Sequence, residues 1–385
     1  MKRLTLLLMC TLITLAFASS TLGQRTAEDY INTSQALLRQ RDLDGALAAL
    51  DKAIALKPDF AEAYAQRNRL HMLKGEVDLA LADLDKALLI DSEMKQAYVE
   101  RGRVRMLKND VRGALSDFDN AIGRGYRSDE IYAMRAHVKL MLQDSEGAIR
   151  DFTTAISMSQ KRVGHYLGRA SARSMAGDEA GALDDYTFVI QMFEQQESDR
   201  LKAGKPAREA APFDLHSPMV NGPESVTTTE KGKTTRTQGV VVMMNTDSSR
   251  PMTAEQMEYL PNVAGAYMNR GLIYSRRGDA DAALADLNKA IAVNPHEFMA
   301  YYSRGQELRK HGDLIAALSD FNKSIESGPQ LPMAYLERGV TLVLLGKDAE
   351  AQKDFEQCMK IEPRMQATVE MRRAEAKKEA GKKSP

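Results

Sequence analysis

A tyrosine recurs at a constant spacing of 34 residues through most of this 385-residue chain. A constant period of this length is typical of stacked helical hairpins, in which each unit buries its apolar face on its neighbours. The spacing therefore predicts a repeat array rather than one globular core, and it favours binding over catalysis. The tyrosines are Tyr30, Tyr64, Tyr98, Tyr132 and Tyr166, followed after a gap by Tyr267, Tyr301 and Tyr335.

Three further positions of the period indicate that each unit is a pair of closely packed helices. An alanine stands sixteen residues after every tyrosine, from Ala46 to Ala351, and a large apolar residue such as Phe118 stands four residues later. That spacing places both on one face of a helix. Four residues after the tyrosine stands a small or short residue, which is glycine in half of the repeats. Glycine inside a helix costs about 1 kcal/mol relative to alanine, so we expect these glycines to permit close helix approach.

Glycine, asparagine and proline occur where such hairpins need turns. Gly75, Asn109 and Gly177 stand eleven residues after their tyrosines, at the expected end of the first helix, and both residue types tolerate the left-handed conformation there. An aspartate or glutamate often follows, as at Asp110, and can cap the next helix. Proline closes four repeats, for example at Pro58.

This pattern resembles the tetratricopeptide repeat, with tyrosine in place of the tryptophan often seen in the family, and with Val189 and Cys358 at sites usually held by alanine. The resemblance covers residues 27–196 as five repeats and 264–365 as three. It implies an all-α, right-handed α-solenoid of eight helix–turn–helix repeats with a long irregular insert between repeats five and six. It also implies a non-catalytic scaffold for protein interactions.

An arginine and an aspartate occur together in seven repeats and are absent together from the first, which has Thr33 and Ala49 instead. This joint occurrence predicts that the two side chains touch within a repeat, and Arg101 is expected to lie nearer Asp117 than any other carboxylate. As exposed pairs they would each contribute about 0.2–1 kcal/mol, so we interpret them as structural rather than as a phosphate-binding row. The arginines are Arg67, Arg101, Arg135, Arg169, Arg270, Arg304 and Arg338, and the aspartates are Asp83, Asp117, Asp151, Asp185, Asp286, Asp320 and Asp354.

Composition and motifs argue against several other classes of function. Lys+Arg and Asp+Glu each number 53, so the chain lacks the basic excess expected of a nucleic-acid binder. No nucleophile, phosphate-loop or metal-ligand spacing is present, and the six histidines are scattered. We therefore expect no enzyme activity, no cofactor, no metal site and no nucleic-acid partner.

The N-terminus has the three parts of a secretory signal peptide. The basic start Met1-Lys2-Arg3 precedes an uncharged apolar run from Leu4 to Ala18, and small residues suitable for cleavage end at Ala18 and Gly23. Residues 1–23 are therefore predicted to direct export, to the periplasm or cell envelope if the source is bacterial and otherwise to secretion. The alternative is an uncleaved anchor, which would be the chain's one contact with a membrane.

Cleavage of this leader is directly testable. Intact-mass spectrometry of the protein from its native source should find a chain that lacks residues 1–18 or 1–23, because signal peptidase removes such segments. Intact Met1 in an envelope fraction would contradict cleavage and favour the anchor.

Residues 197–263 interrupt the array with a polar segment. We expect the second helix of repeat five to continue to about Lys202, and Thr253 to begin a short helix that ends before Pro261, after which Asn262 caps repeat six. Residues 225–229 and 234–244 could form a hairpin, but partial disorder is the favoured interpretation. Repeats five and six should nevertheless stack directly, because an uncovered apolar face would be costly. Residues 366–385 are predicted to be a capping helix and basic tail.

In the tetratricopeptide family the first helix of each repeat lines the concave face. The lysine and asparagine clamp that some members use for terminal carboxylates is absent here, and the residues one, five and eight positions after the tyrosine predict an apolar trough with a central row of cations. In repeats one to four these are Ile31, Gln35 and Leu38; Ala65, Arg69 and Met72; Val99, Arg103 and Met106; and Ala133, His137 and Leu140.

Such a trough suits a protein or peptide segment that is amphipathic and acidic. The alternative for the methionine and leucine positions is that they only pack between repeats. For the whole protein, the alternatives to an adaptor are a structural part of a cell-envelope assembly (outer membrane, pilus or secretion) and a glycan- or peptidoglycan-binding module.

Overall fold

The computed structural model describes residues 25–204, 226–230, 233–237 and 254–383. The predicted leader and most of the insert lie outside these ranges. The chain divides into two compact units, one comprising Met1–Leu142 with Gly222–Val240 and the other Gln143–Asn221 with Val241–Pro385. None of the helices in the described ranges combines the length and apolar character needed to cross a membrane.

The first unit consists of helices of 13 or 14 residues in which each packs against the next. The odd-numbered helices are the first helices of predicted repeats one to four, and the even-numbered ones are second helices of repeats one to three. They are α1 (Ala27–Arg39), α2 (Leu43–Leu56), α3 (Ala61–Leu73), α4 (Val77–Ile90), α5 (Lys95–Leu107), α6 (Val111–Gly123) and α7 (Asp129–Met141).

The second unit continues the alternation and adds a terminal helix. Its helices are α8 (Ser145–Met158), α9 (Val163–Ala176), α10 (Glu179–Lys202), α11 (Ala254–Arg277), α12 (Ala280–Val293), α13 (Phe298–Lys310), α14 (Leu314–Ser327), α15 (Pro332–Leu344), α16 (Asp348–Ile361) and α17 (Gln366–Lys383), with a 3-10 turn at Pro363–Met365. Val369 and Ala376 of α17 are buried in the same cluster as Leu336 and Phe355, so α17 covers the last repeat. The all-helical repeat architecture predicted from the period is confirmed.

The turns inside the hairpins confirm the predicted helix ends. The residue eleven positions after each tyrosine has a positive φ, including the non-glycine residues Arg41 and Gln143. At six second helices an aspartate such as Asp110 caps the first turn by accepting a hydrogen bond from the backbone N–H three residues later. Glu76 differs, because its carboxylate lies 2.7 Å from Nδ1 of His71 instead of capping α4.

The predicted direct stacking of repeats five and six is confirmed within the second unit. Tyr186 and Ile190 of α10 are buried in one cluster with Val263 and Tyr267 of α11. The hydroxyl of Tyr267 also donates a 2.8 Å hydrogen bond to Glu194. The path of the segment between α10 and α11 lies mostly outside the described residues.

Two expectations about the insert require correction. The predicted extension of α10 to Lys202 is correct, but α11 does not end before Pro261, nor does Asn262 begin a new helix, because α11 is continuous over 24 residues. An interior proline removes one helical hydrogen bond and costs about 3 kcal/mol, which the burial of Val263, Ala264 and Tyr267 offsets. Thr253 lies outside the described residues.

Part of the insert forms a hairpin, which was the alternative considered for residues 225–229 and 234–244. Strand β1 (Val226–Glu230) pairs antiparallel with β2 (Lys233–Thr237), with Val226 opposite Thr237 and Glu230 opposite Lys233. Both strands are rich in β-branched threonine, which fits a pleated ladder.

The glycines four residues after the tyrosine permit the predicted close approach of the two helices, and at three of the four the group that comes close is a phenylalanine ring. A Cβ atom on Gly102 would lie 2.5 Å from Cε1 of the Phe118 ring, whereas on Gly271, which faces a leucine, the nearest atom would be 3.2 Å away. The close approach therefore matters most where the facing residue is phenylalanine.

We expect Gly102→Ala to lower the free energy of unfolding by up to about 2 kcal/mol, because overpacking costs about 1–3 kcal/mol and the gain in helix propensity offsets about 1 kcal/mol of that. Gly271→Ala is the matched control and should cost less, because the nearest atom to the added Cβ, the carbonyl oxygen of Ala283, lies 3.2 Å away. Urea denaturation measures both, and equal losses for the two variants would contradict this account of the glycine.

Candidate functional site

In the first unit the first helices of neighbouring repeats meet along one surface. Gln35 of α1 donates a 3.3 Å hydrogen bond to Gln66 of α3, and the guanidinium of Arg103 on α5 lies 3.8 Å from Glu130 of α7. We call the surface formed by α1, α3, α5 and α7 on this side the first-helix face. It is the surface on which the binding residues were predicted.

The predicted central polar row is exposed on this face. Gln35, Arg69, Arg103 and His137 all lie in the most exposed class of residues. Arg103 has only long ion-pair contacts, 3.7 Å to Glu100 and 3.8 Å to Glu130. Arg69 has no ion pair among the described residues. Few carboxylates of the chain itself compete for these two guanidinium groups, so each can bind a carboxylate of a partner.

The apolar part of the predicted trough is only partly available. Ile31 and Val99 are buried and belong to core clusters that include Ala63 and Ile131, respectively, on the next first helix. The position one residue after the tyrosine therefore faces the following repeat, and listing these two as binding residues was wrong. Met72, Met106 and Leu140 are partly buried, and both methionines pack against the core, which supports the packing alternative for them. Leu38 is exposed.

The structure exposes an apolar position that the sequence reasoning missed. Leu73 and Met141, nine residues after their tyrosines, have more than half of their surface accessible. Each stands four residues after a member of the polar row, Arg69 and His137, and therefore beside it on the helix surface. The signal was present in the sequence, because Leu73, Leu107, Met141 and Met175 repeat at this position. Exposed Leu73 beside Arg69, with exposed Met141 beside His137, is the arrangement that the first unit offers to a partner.

The arginine–aspartate pairs form within single repeats, as predicted. In six repeats the arginine donates to the aspartate carboxylate at 2.6–3.2 Å, and the arginine also lies 5.4–5.8 Å above the ring of its own repeat's tyrosine. Arg101 lies 2.7 Å from Asp117 and 2.8 Å from Asp85. Asp117 is therefore the nearer carboxylate, as predicted, although Asp85 is almost as close. The pairs are Arg67–Asp83, Arg101–Asp117, Arg169–Asp185, Arg270–Asp286, Arg304–Asp320 and Arg338–Asp354.

The same arginines also join consecutive repeats, which the sequence reasoning did not foresee. In each of the seven repeats, Nη1 of the arginine donates to a side chain on the second helix of the preceding repeat. The acceptors are Asp51, Asp85, Asp119, Thr153, Thr187, Asn288 and Asn322.

The expectation that these pairs are exposed was wrong, because the carboxylates are buried beneath the guanidinium that bridges to the neighbouring repeat. Asp83, Asp117 and Asp320, for example, are each at most 4% exposed. The hydrogen bonds donated to Asp83 raise the pKa of Arg67 above its ordinary value, and burial opposes this only in part. Since their donors are used internally, these arginines form a structural ladder and not a phosphate-binding row.

Among the described residues, no cluster of three or more histidine, cysteine, aspartate and glutamate side chains could hold a metal ion. Cys358 is buried in the last repeat, where burial raises the pKa of its thiol and keeps the thiolate disfavoured.

Comparison with known proteins agrees with this architecture. Tetratricopeptide repeat families match residues 32–98, 264–297 and 334–365. A tetratricopeptide repeat protein from Parabacteroides merdae is 16% identical, with 82% of this chain and 98% of that chain covered at a TM-score of 0.50.

Two further solved structures match the chain with lower TM-scores. MamA from Desulfovibrio magneticus is 18% identical, with 46% of this chain and 99% of that chain covered and a TM-score of 0.42. A chain of the APC/C hetero-tetramer Cut9–Hcn1 is 11% identical, with 82% and 53% covered and a TM-score of 0.46. No curated protein sequence matches the chain.

Repeats of this family support protein-interaction scaffolds and are typically non-catalytic. The 34-residue period, the hairpin packing, the family matches and the shared fold together lead to one assignment: the chain is a tetratricopeptide repeat protein.

Proposed function

We propose that the protein is an exported, non-catalytic scaffold that binds an amphipathic, acidic segment of a partner protein on the first-helix face of the first unit. The observation that carries the site is the placement of exposed Arg69, free of any ion pair in the described residues, beside exposed Leu73. Export rests on the leader-like residues 1–23 and is tested by the mass measurement described above.

The charge pattern suits an acidic partner more than a neutral one. Arg69 and Arg103 occupy equivalent positions in consecutive repeats, so their guanidinium groups follow the periodicity of the array. A carboxylate on the partner would form a charge-assisted hydrogen bond with each, and such bonds contribute about 1.5–3 kcal/mol. The neighbouring leucine and methionine side chains would cover the apolar side of the same segment.

Site-specific photo-crosslinking tests the location. A benzoylphenylalanine at Leu73 should crosslink a partner in cells that produce the protein, because this residue borders the arginine row. Leu89 of α4 is the matched control, since it is even more exposed but lies on a second helix. Equal crosslinking from the two positions would contradict a site on the first-helix face.

Charge reversal tests the chemistry. Arg69→Glu together with Arg103→Glu should reduce the Leu73 crosslink at least about tenfold, because both lost contacts become repulsive. Lys86→Glu with Arg112→Glu makes the same change in charge on exposed positions of second helices in the same unit and should leave the crosslink intact. An undiminished crosslink in the folded Arg69/Arg103 variant would place the partner elsewhere.

A further inference from the structure

The second unit has a cavity of about 430 Å³ where repeats five and six meet. Ser171, Ser174 and Met175 of α9 form one wall, and Asn269 and Leu272 of α11 form the other. The cavity therefore opens between the first helices of two consecutive repeats, in the unit that does not contain Arg69 and Arg103.

Short side chains at two positions of repeat five create this space. Five and eight residues after the tyrosine, repeats two and three have Arg69 with Met72 and Arg103 with Met106, whereas repeat five has only serine at both positions. In repeats two and three the methionine at the eighth position packs against the core beside the gap between neighbouring first helices. Repeat six also has a serine at this position, Ser275, and its hydroxyl donates a hydrogen bond to Glu307 of repeat seven. At Ser174 the gap stays open down to buried Tyr186 and Ile273.

The walls combine apolar contact with neutral hydrogen-bonding groups. Met175 and Leu272 offer apolar surface, and burial raises the pKa of Tyr186, so its hydroxyl stays neutral. Asn269 forms no hydrogen bond with any described residue. Its amide has both a donor and an acceptor, which complement a peptide group in an extended chain. A site of this kind accepts one apolar side chain and the backbone next to it.

The rim carries a surplus of positive charge. Arg276 lies 2.9 Å and Arg277 3.4 Å from the two oxygens of a single carboxylate, that of Glu179, and all three side chains are partly exposed. Two guanidinium groups that share one carboxylate leave one positive charge uncompensated. A carboxylate of the bound segment, close to the apolar side chain that enters the cavity, would compensate this positive charge.

We infer that this cavity is a second peptide-binding site, which takes a leucine, methionine or phenylalanine side chain from a partner segment that carries an aspartate or glutamate within a few residues of it. The site consists of residues of the second unit alone, so it can be tested independently of the first-helix face of the first unit.

The test uses a library of random twelve-residue peptides displayed on phage and selected against the full chain, with a parallel selection against Ser174→Met. This substitution installs the residue that repeats two and three have at the same position and fills the cavity. Peptides specific to the unmodified protein should share an apolar residue close to an acidic one. A selection that yields no peptide sensitive to Ser174→Met overturns the site, as does a set that is basic or lacks an apolar residue.

Synthetic versions of the selected peptides then give affinities by fluorescence anisotropy. Ser174→Met and the pair Arg276→Glu and Arg277→Glu should each weaken binding at least about tenfold. Ser157→Met, at an exposed position of α8, and the Arg69→Glu/Arg103→Glu variant should bind normally. Binding lost in the Arg69/Arg103 variant but kept in Ser174→Met would overturn the second site and favour the first.

Folding of the variants is checked by circular dichroism. If Ser174→Met fails to fold, Ser171→Arg serves in its place, because Ser171 is exposed and arginine occupies this position in repeats two and three. Normal peptide binding by folded Ser171→Arg would then overturn the proposal.

Discussion

Replacing Asp117 with alanine is expected to lower the free energy of unfolding of its repeat by roughly 3–5 kcal/mol. Asp117 is 1% exposed and accepts hydrogen bonds from Arg101 and from Nη1 of Arg105, the latter at 2.7 Å. Removal of this carboxylate leaves two guanidinium groups without their buried acceptor. The cost is large because a charge taken out of water needs its partner.

Asp85 is the matched control for this prediction. It binds the same guanidinium at 2.8 Å, but its side chain is 53% exposed, so Asp85→Ala should cost less than about 1 kcal/mol. Hydrogen exchange of amides in α5 and α6 reads the local effect, because stability in repeat arrays is distributed among neighbours. Similar losses for the two alanine variants would show that burial of the carboxylate is not what gives the ladder its energy.

Replacing Glu337 with alanine should release the terminal helix α17 at a cost of roughly 3 kcal/mol. Glu337 of α15 is 4% exposed, and it lies 2.9 Å from Arg309 of α13 and 3.1 Å from Arg372 of α17. One carboxylate thus joins three helices. Its loss removes the ion pair of Arg309 and leaves Arg372 only the exposed carboxylate of Glu375. It therefore weakens the contact through which α17 covers the apolar end of repeat eight.

Glu375→Ala is the control here. Glu375 lies 3.5 Å from the same Arg372, but its side chain is 58% exposed, and its removal should cost less than about 1 kcal/mol. Amides of α17 should exchange much faster in Glu337→Ala than in Glu375→Ala. Unchanged protection of α17 in the first variant would mean that Val369 and Ala376 hold the helix without the ion pairs.

The arginine–aspartate ladder shows which contacts the repeat pattern of the sequence can predict and which it cannot. The joint absence of arginine and aspartate at Thr33 and Ala49 was enough to predict the contact within a repeat. The second acceptor, such as Asp85 for Arg101, could not be predicted, because it becomes a neighbour only when consecutive hairpins are stacked. The same stacking buries the carboxylates, so that removal of one partner becomes costly.

On the first-helix face, too, the sequence predicted some features and the packing of the repeats decided others. Helical spacing correctly placed Arg69 and Arg103 on a common exposed side. The spacing could not distinguish Val99, which faces the next repeat and is buried, from Leu73, which faces outward, because both lie within one turn of that side. Which of the two is covered depends on the angle at which the next first helix packs. The continuous helix through Pro261 likewise depends on partners distant in sequence, because Val263 and Tyr267 pack against residues of α10.

The sequence by itself determined that this protein is an array of helical hairpins, where those hairpins begin and end, and which residues fill the space between paired helices. These features are local, because each is specified by residues within one 34-residue period. Only the tertiary structure decided which side chains remain accessible, which ion pairs are buried, and where short side chains leave a cavity between repeats five and six. Each of these depends on the packing of one hairpin against the next, which no single period of the sequence encodes.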